Sequence, residues 1–162
     1  MVVDPVLHQP LAPWWKRLLA ILIDGAILGV GYGIVLVGLA LANANETTTP
    51  STPNAPAGSV IAGLVFFWLV MSVPAAIYYG AMNGSRRGQT VGKMALNIAV
   101  RDANYGSPIG FGRAFGRYLL TVLFTLLLYI PAILDYLWPL WDERRQSWHD
   151  KAVRSVVVDL RP

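Results

Sequence analysis

Apolar residues run almost without interruption from Leu18 to Ala42, a stretch long enough to cross the hydrocarbon core of a bilayer as a helix. One carboxylate, Asp24, lies inside the stretch, and Arg17 is the residue directly before the stretch. Because an ionisable side chain is costly in hydrocarbon, we expect Asp24 either to pair with another group or to take part in function. The spacing of Arg17 and Asp24 brings both side chains to nearly one helix face, roughly 10 Å apart along the axis. They are too far apart to pair with each other, but both side chains can contact the same neighbouring segment.

The composition is typical of a membrane protein. Hydrophobic residues make up 55% of the 162 residues and charged residues only 14%, with a mean hydropathy of +0.49. A soluble domain carries about 25% charged residues. The apolar residues fall into blocks at about 18–42, 60–82 and 112–141, which predicts an all-α membrane domain over residues 14–162 with three to four membrane helices.

The distribution of basic residues predicts the orientation. Lysines and arginines flank the first block, follow the second and fill the tail, whereas residues 43–59 contain none. The N-terminus is therefore expected in the cytoplasm, with residues 1–13 as an irregular arm and 43–59 as a low-complexity external loop. We assign the positive charge to topology, with anionic lipid headgroups rather than nucleic acid as its partner.

The third block leaves its topology open, because Pro131, Asp135 and Pro139 interrupt it. One continuous helix would place the basic tail outside, against the charge rule. A hairpin would return the tail to the cytoplasm, but Pro131 to Trp141 gives only about 16 Å of helix, too little to span alone.

Two segments of strand-like composition favour the hairpin. Met94 to Asp102 and Lys151 to Leu160 are rich in β-branched residues and alternate loosely. Neither is stable alone, so we predict a small two-stranded element at the cytoplasmic membrane surface. That pairing requires both segments on one side, and hence a cytoplasmic C-terminus.

Three glycines, Gly25, Gly29 and Gly33, form a ridge along the first block. Such a ridge allows another helix to approach closely, within the chain or in a dimer, so we predict helix packing there. The alternative is that glycine is simply frequent in membrane helices.

Two roles remain open for Asp24. It could bind a cation or relay a proton, or it could be neutralised by Arg113 or Arg117, which lie near the start of the third block. The second, structural role is favoured because both arginines lie at a similar depth.

The sequence predicts no enzyme, no metal site and no cofactor. It has no cysteine and only two histidines, far apart, and His149 has no nucleophile beside it. Residues Gly88 to Lys93 superficially resemble a phosphate loop but are too short, and Met94 stands where Ser or Thr would hold magnesium. We interpret this segment as a tight, basic interfacial turn.

Four motifs follow one another along the chain: RLLAILID ending at Asp24, GQTVGK ending at Lys93, FGRA ending at Ala114, and WDERRQSWHD ending at Asp150. Together they resemble the RDD family of small prokaryotic membrane proteins, over roughly Trp14 to Val158. Two positions depart from the family pattern, since Val91 replaces a frequent proline and Val153-Arg154-Ser155 replaces a small-residue stretch.

The resemblance implies that Arg17 and Asp24 are the family's arginine and first aspartate, and that the second is Asp142 or Asp150. It implies a multi-pass protein of the prokaryotic plasma membrane. A few family members are linked to cation/proton exchange.

Two functions compete. The first is a packing or accessory subunit, or a scaffold, without catalytic activity, acting as a homo-oligomer or within a larger membrane complex. The alternative is an oligomeric cation/proton transporter component that uses Asp24 and Arg17.

Overall fold

The protein is mostly helical with a small two-stranded antiparallel sheet, as predicted. The computed structural model describes residues 2–44, 57–127 and 129–161. Its elements, in chain order, are α1 (Trp14–Ala44), α2 (Ala57–Gly84), α3 (Val91–Ala95), β1 (Ile98–Asp102), α4 (Gly110–Leu127), α5 (Tyr129–Leu137), a 3-10 turn (Trp138–Leu140), α6 (Trp148–Ala152) and β2 (Ser155–Asp159).

Within the described residues, one helix is long and apolar enough to cross a membrane, the stretch Trp14–Ala42. The predicted three to four spans are therefore not confirmed. The first two helices extend into the predicted external loop, because α1 continues to Ala44 and α2 begins at Ala57. The rest of that loop, residues 45–56, lies outside the described part of the chain.

The chain divides into two compact units, Gly25–Ala75 and the remainder. In the Gly25–Ala75 unit, α1 exposes large apolar side chains, among them Val30, Ile34 and Leu41. A Cβ added at Gly25, Gly29 or Gly33 would meet nothing within 4 Å. Packing against the glycine ridge, within the chain or in a dimer, therefore stays a prediction.

In the other unit, the two strands pair with Ile98 opposite Asp159 and Val100 opposite Val157. Residues on both faces of the sheet are fully buried, so each face packs against a small apolar cluster. One cluster includes Ala20 of α1 and Ala114 of α4, and the other includes Leu11.

The strands begin later than predicted because each is preceded by a five-residue helix, α3 or α6. Thr90 caps α3, accepting a hydrogen bond at Oγ from the Lys93 amide, and Ser147 caps α6. The segment Gly88 to Lys93 is therefore a capped helix start, and its interpretation as a simple turn was wrong.

The two helix–strand pieces are copies of one motif, GQTVGKMALNIAVRD over residues 88–102 and RQSWHDKAVRSVVVD over 145–159. In each, a glutamine side chain donates to the carbonyl oxygen of the first strand residue, at 3.0 Å from Gln89 and 2.8 Å from Gln146. The hydroxyl-bearing helix cap follows each glutamine directly.

The copies also match in backbone. Each starts at a residue with positive φ, 62° at Gly88 and 49° at Arg145, and a second such residue precedes each strand, 54° at Asn97 and 52° at Arg154. Equivalent positions lie at a constant sequence distance, so both strands of the sheet follow the same local structure.

The N-terminal arm packs beside the second strand. The amide of Ala12 donates to the Val157 carbonyl at 2.9 Å, and the amide of Asp159 donates to the Pro10 carbonyl at 2.7 Å. The buried carboxylate of Asp4 accepts two hydrogen bonds from Arg144, at 2.9 and 3.0 Å. The arm has no helix, but its backbone is tied to the sheet.

The third apolar block folds back on itself. Arg117 in α4 and Asp135 in α5 both bond His149. In one straight helix they would lie about 27 Å apart. The chain therefore reverses direction between α4 and α5, as in the hairpin alternative.

Candidate functional site

Asp150 lies at the centre of the polar interior and is fully buried. Its Oδ2 accepts from Arg17 Nη1 at 3.0 Å, and its Oδ1 accepts from Arg117 Nη2 at 2.8 Å. The hydroxyls of Ser147 and Ser155 donate to it as well, each at 2.9 Å. Burial alone would raise the pKa of Asp150, but the charges of Arg117 and Arg17 and the hydrogen bond from Ser147 act with its other neighbours to outweigh burial and hold the pKa well below its usual range. Asp150 is therefore a carboxylate that joins α1, α4 and α6.

Asp24 is also buried, but its partners are not the predicted arginines. It accepts from the Tyr78 hydroxyl at 2.7 Å, the Thr90 hydroxyl at 2.6 Å and the Gly92 amide at 2.8 Å. No lysine or arginine in the described ranges forms an ion pair with it. Asp24 thus ties α1 to the end of α2 and the start of α3.

Both predicted partners of Asp24 lie elsewhere. Arg113 pairs with Asp102 and also donates to the carbonyls of Val153 and Arg154, whereas Arg117 pairs with Asp150. Both arginines lie in the first turns of α4, close to the sheet and α6. The acceptors that they bond belong to these elements and to the residues between them, and not to Asp24.

A glycine makes the approach of α3 to α1 possible. A Cβ at Gly92 would lie 2.2 Å from the carbonyl oxygen of Ala20. Only glycine allows the two backbones to come this close, which brings the Gly92 amide within reach of Asp24.

Asp135 accepts a hydrogen bond from a backbone amide of α6, just as Asp24 accepts one from a backbone amide of α3. It accepts from the amide of His149 at 3.0 Å, and Gly92 and His149 are equivalent positions of the two motif copies. Asp135 also bonds Nδ1 of the His149 ring. Nε2 of the same ring lies 3.1 Å from Nη2 of Arg117 and 2.9 Å from the hydroxyl oxygen of Ser147.

Asp142 has a more peripheral place. It pairs with Lys151, whose side chain is 46% exposed, and accepts from the Gln146 amide at 2.9 Å. Burial opposes ionisation, but these two donors outweigh it and lower the pKa of Asp142. Of the two candidate second aspartates, only Asp150 contacts Arg17.

Arg17, Asp24, Arg117 and His149 line a cavity of about 150 Å³ within the unit that contains the sheet. Lys93 lines it, with its ammonium bonded to Asn83, and burial together with the charge of Arg117 lowers the pKa of Lys93 well below its ordinary value. The other polar lining residues are Arg17, Asp24, Tyr79, Asn83, Arg117, Tyr118, Thr121, Tyr136, Ser147 and His149. In the described part of the chain, no group of three or more His, Cys, Asp or Glu residues is placed to hold a metal ion.

Sequence reasoning missed Tyr78, Thr90 and the Asp135–His149 pair. The signal that could have found them is the repeated Gln-Thr/Ser dipeptide at Gln89 and Gln146, each followed by a five-residue helix and a strand.

Comparisons with known proteins agree with the motifs. The sequence profile of the RDD family matches residues 11–154. The chain is 30% identical to the proline-rich antigen homolog of Mycobacterium tuberculosis, over 91% of this chain and 63% of that protein. It is 28% identical to the proline-rich antigen of Mycobacterium leprae, over 91% of this chain and 60% of the relative.

A shorter relative is covered almost completely. YxaI of Bacillus subtilis is 29% identical, over 91% of this chain and 96% of YxaI. The chain thus spans somewhat less than two thirds of the mycobacterial relatives, and no solved structure matches it. With a family profile matched over most of its length and the charged motifs in place, the chain belongs to the RDD family.

Proposed function

We propose that this chain is a multi-pass membrane protein that serves as a non-catalytic packing or scaffold subunit, with both termini in the cytoplasm. One observation carries the proposal: the charged residues of the family signature are engaged in holding the structure together. Asp150 accepts from two arginines and two serines, and Asp24 accepts from three donors on α2 and α3. In this arrangement we assign the family's second aspartate to Asp150, because it bonds Arg17.

The surface for a partner is the glycine ridge of α1. Gly25 and Gly29 are exposed, and an added Cβ on any of the three ridge glycines would meet nothing within 4 Å. Small residues spaced in this way let a second membrane helix approach closely.

The matched pair Gly29→Leu and Gly31→Leu tests this role. Both glycines lie in α1 with open space around them, but Gly31 is about 200° around the helix from Gly29. In mild detergent, Gly29→Leu should reduce the mass of the purified assembly measured by light scattering, and Gly31→Leu should not. A wild-type protein that is always monomeric and brings down no stoichiometric partner would overturn the proposal.

A transport role is the second candidate, since Asp24 lines the cavity and forms no ion pair with any residue that the structure describes. If it binds the transported cation or proton, Asp24→Asn should abolish cation-dependent pH changes in reconstituted vesicles at normal protein levels, while Asp142→Asn retains them. Loss of Asp24→Asn protein from the membrane, with no flux from wild type, would favour the structural role.

A further inference from the structure

Two buried arginines keep hydrogen-bond donors that no described residue accepts. These are Nε and Nη2 of Arg17 and Nη1 of Arg117. The Arg17 side chain is only 10% exposed and that of Arg117 11%, and both line the cavity. Buried donors in folded proteins normally have hydrogen-bond partners. Three unpaired nitrogens on two residues that line one cavity therefore indicate a missing acceptor.

The nearby carboxylates do not accept from these three nitrogens. Asp150 already accepts from Arg17, Arg117, Ser155 and both the amide and hydroxyl of Ser147, which exceeds the roughly four lone-pair sites of a carboxylate. Asp24 holds three donors, and Asp135 is bound to His149.

The orphan donors have a specific geometry. Nε–H and Nη2–H lie side by side along one edge of the Arg17 guanidinium, the fork that binds two oxygens of a carboxylate or phosphate at once. Nη1 on the other edge is the atom that holds Asp150. Arg17 can therefore bind a second oxyanion without releasing the first.

Three basic side chains and one acidic side chain line the cavity, namely Arg17, Lys93, Arg117 and Asp24. Arg17 and Arg117 share the single carboxylate of Asp150, which offsets one of their two charges. The Asp24 carboxylate accepts from three donors, and the other titratable lining groups are His149, which is bound to Asp135, and Tyr79, Tyr118 and Tyr136. The remaining walls are largely apolar and include Trp14, Leu18, Ile21 and Ala114.

We propose that this cavity binds the phosphate group of an anionic amphiphile, with two oxygens on Nε and Nη2 of Arg17 and a third contact from Nη1 of Arg117. The apolar walls would contact the part of the ligand next to the phosphate. The site does not depend on whether the protein acts as a scaffold or in transport.

The test uses the full chain, purified in an uncharged detergent, with binding followed by native mass spectrometry and thermal shift. The probes are dioleoyl phosphatidic acid, dioleoyl phosphatidylcholine and inorganic phosphate. The key variant is Arg17→Lys, which keeps the charge but loses the fork. Its matched control is Arg87→Lys, at an exposed arginine.

We expect one phosphatidic acid per chain, bound at least ten-fold more tightly than phosphatidylcholine. Affinity should fall at least ten-fold in Arg17→Lys and change less than two-fold in Arg87→Lys. Competition by inorganic phosphate that depends on Arg17 would support the same oxyanion site with a soluble source. Equal binding of the two lipids and no phosphate binding, or unchanged affinity in Arg17→Lys, would overturn the proposal. If Arg17→Lys does not fold, Arg117→Lys replaces it, and unchanged affinity there overturns the proposal.

Discussion

At the scale of single residues, the two acidic positions near the end of the chain differ sharply in their surroundings. Asp150 is fully buried between two arginines, whereas Asp142 faces a lysine whose side chain is 46% exposed. A buried carboxylate that neutralises buried cations is difficult to replace, because its removal leaves those cations uncompensated. A partly exposed pair contributes little.

Replacing Asp150 should therefore be far more damaging than replacing Asp142. We expect Asp150→Asn to lower the free energy of unfolding by roughly 3–5 kcal/mol, the usual cost of breaking a buried ion pair on one side. Asp142→Asn should cost no more than about 1 kcal/mol. Thermal unfolding of the two purified variants in one detergent measures the difference, and equal losses would contradict the assignment of Asp150 as the central carboxylate.

Asp102 should make the stability of the protein depend on pH, and the direction of this dependence follows from its pKa. Burial opposes its ionisation, but Arg113 and the amides of Asn104 and Tyr105 outweigh it and lower the pKa of Asp102 below its ordinary 3.8. A carboxylate with a lowered folded-state pKa stabilises the protein above pH 3.8 and loses that contribution as the pH falls through the folded-state value.

The variant Asp102→Asn should therefore be less stable than wild type at pH 7, with the difference shrinking as the pH falls below about 4. Melting temperatures of both proteins at pH 7 and pH 3 provide the check. A difference that stays constant or grows toward acid would show that the Asp102 carboxylate is not stabilised in the fold.

At the scale of elements, the two short helices position the site. The helix α3 brings Gly92 to Asp24, and α6 brings His149 to Asp135 and Asp150 to Arg17. The contact of α3 with α1 depends on the missing side chain at Gly92, since a Cβ there would lie 2.2 Å from a backbone oxygen.

Gly92→Ala should displace α3 from α1 and break the hydrogen bond to Asp24, with a loss of at least about 2 kcal/mol as expected for a strained core substitution. Gly112→Ala is the matched control, because a Cβ there meets nothing within 4 Å and alanine favours the helix. Comparing the melting temperatures of the two variants tests the contact. A Gly92→Ala protein as stable as the control would mean that α3 does not rest on α1.

The sequence predicted elements better than their contacts. The strands were recognisable because Val156, Val157 and Val158 are β-branched, whereas a five-residue helix is too short to show a helical period. The partners of Asp24 were not predictable from charge, since they are two hydroxyls and an amide that lie 54 to 68 residues away. On charge alone, Arg113 and Arg117 were the expected partners of Asp24. In the structure these arginines pair with Asp102 and Asp150 instead.

At the scale of the whole molecule, the sheet-containing unit joins distant parts of the sequence. Lys16 bonds Asp159 at 2.5 Å, and Arg144 bonds Asp4 across 140 positions. The reversal between α4 and α5, with β1 and β2 in one sheet, places residues 98–102 and 155–159 on one side of any membrane that the helices cross.

On the topology proposed above, a reporter fused after Pro162 should lie in the cytoplasm. We expect a C-terminal alkaline phosphatase fusion to be inactive and a green fluorescent protein fusion to be fluorescent, with the opposite pattern for fusions inserted between residues 45 and 56. An active C-terminal phosphatase would contradict the hairpin topology.

The bond between Arg17 and Asp150 has a consequence for biosynthesis, because its ends are 133 positions apart in the chain. A ribosome that has made α1 must add most of the remaining sequence before the counter-charge of Arg17 exists. Until then the guanidinium of Arg17 lacks the carboxylate that pairs with it in the fold. A polypeptide that stops before Asp150 therefore cannot form the ion pair that joins α1 to α6.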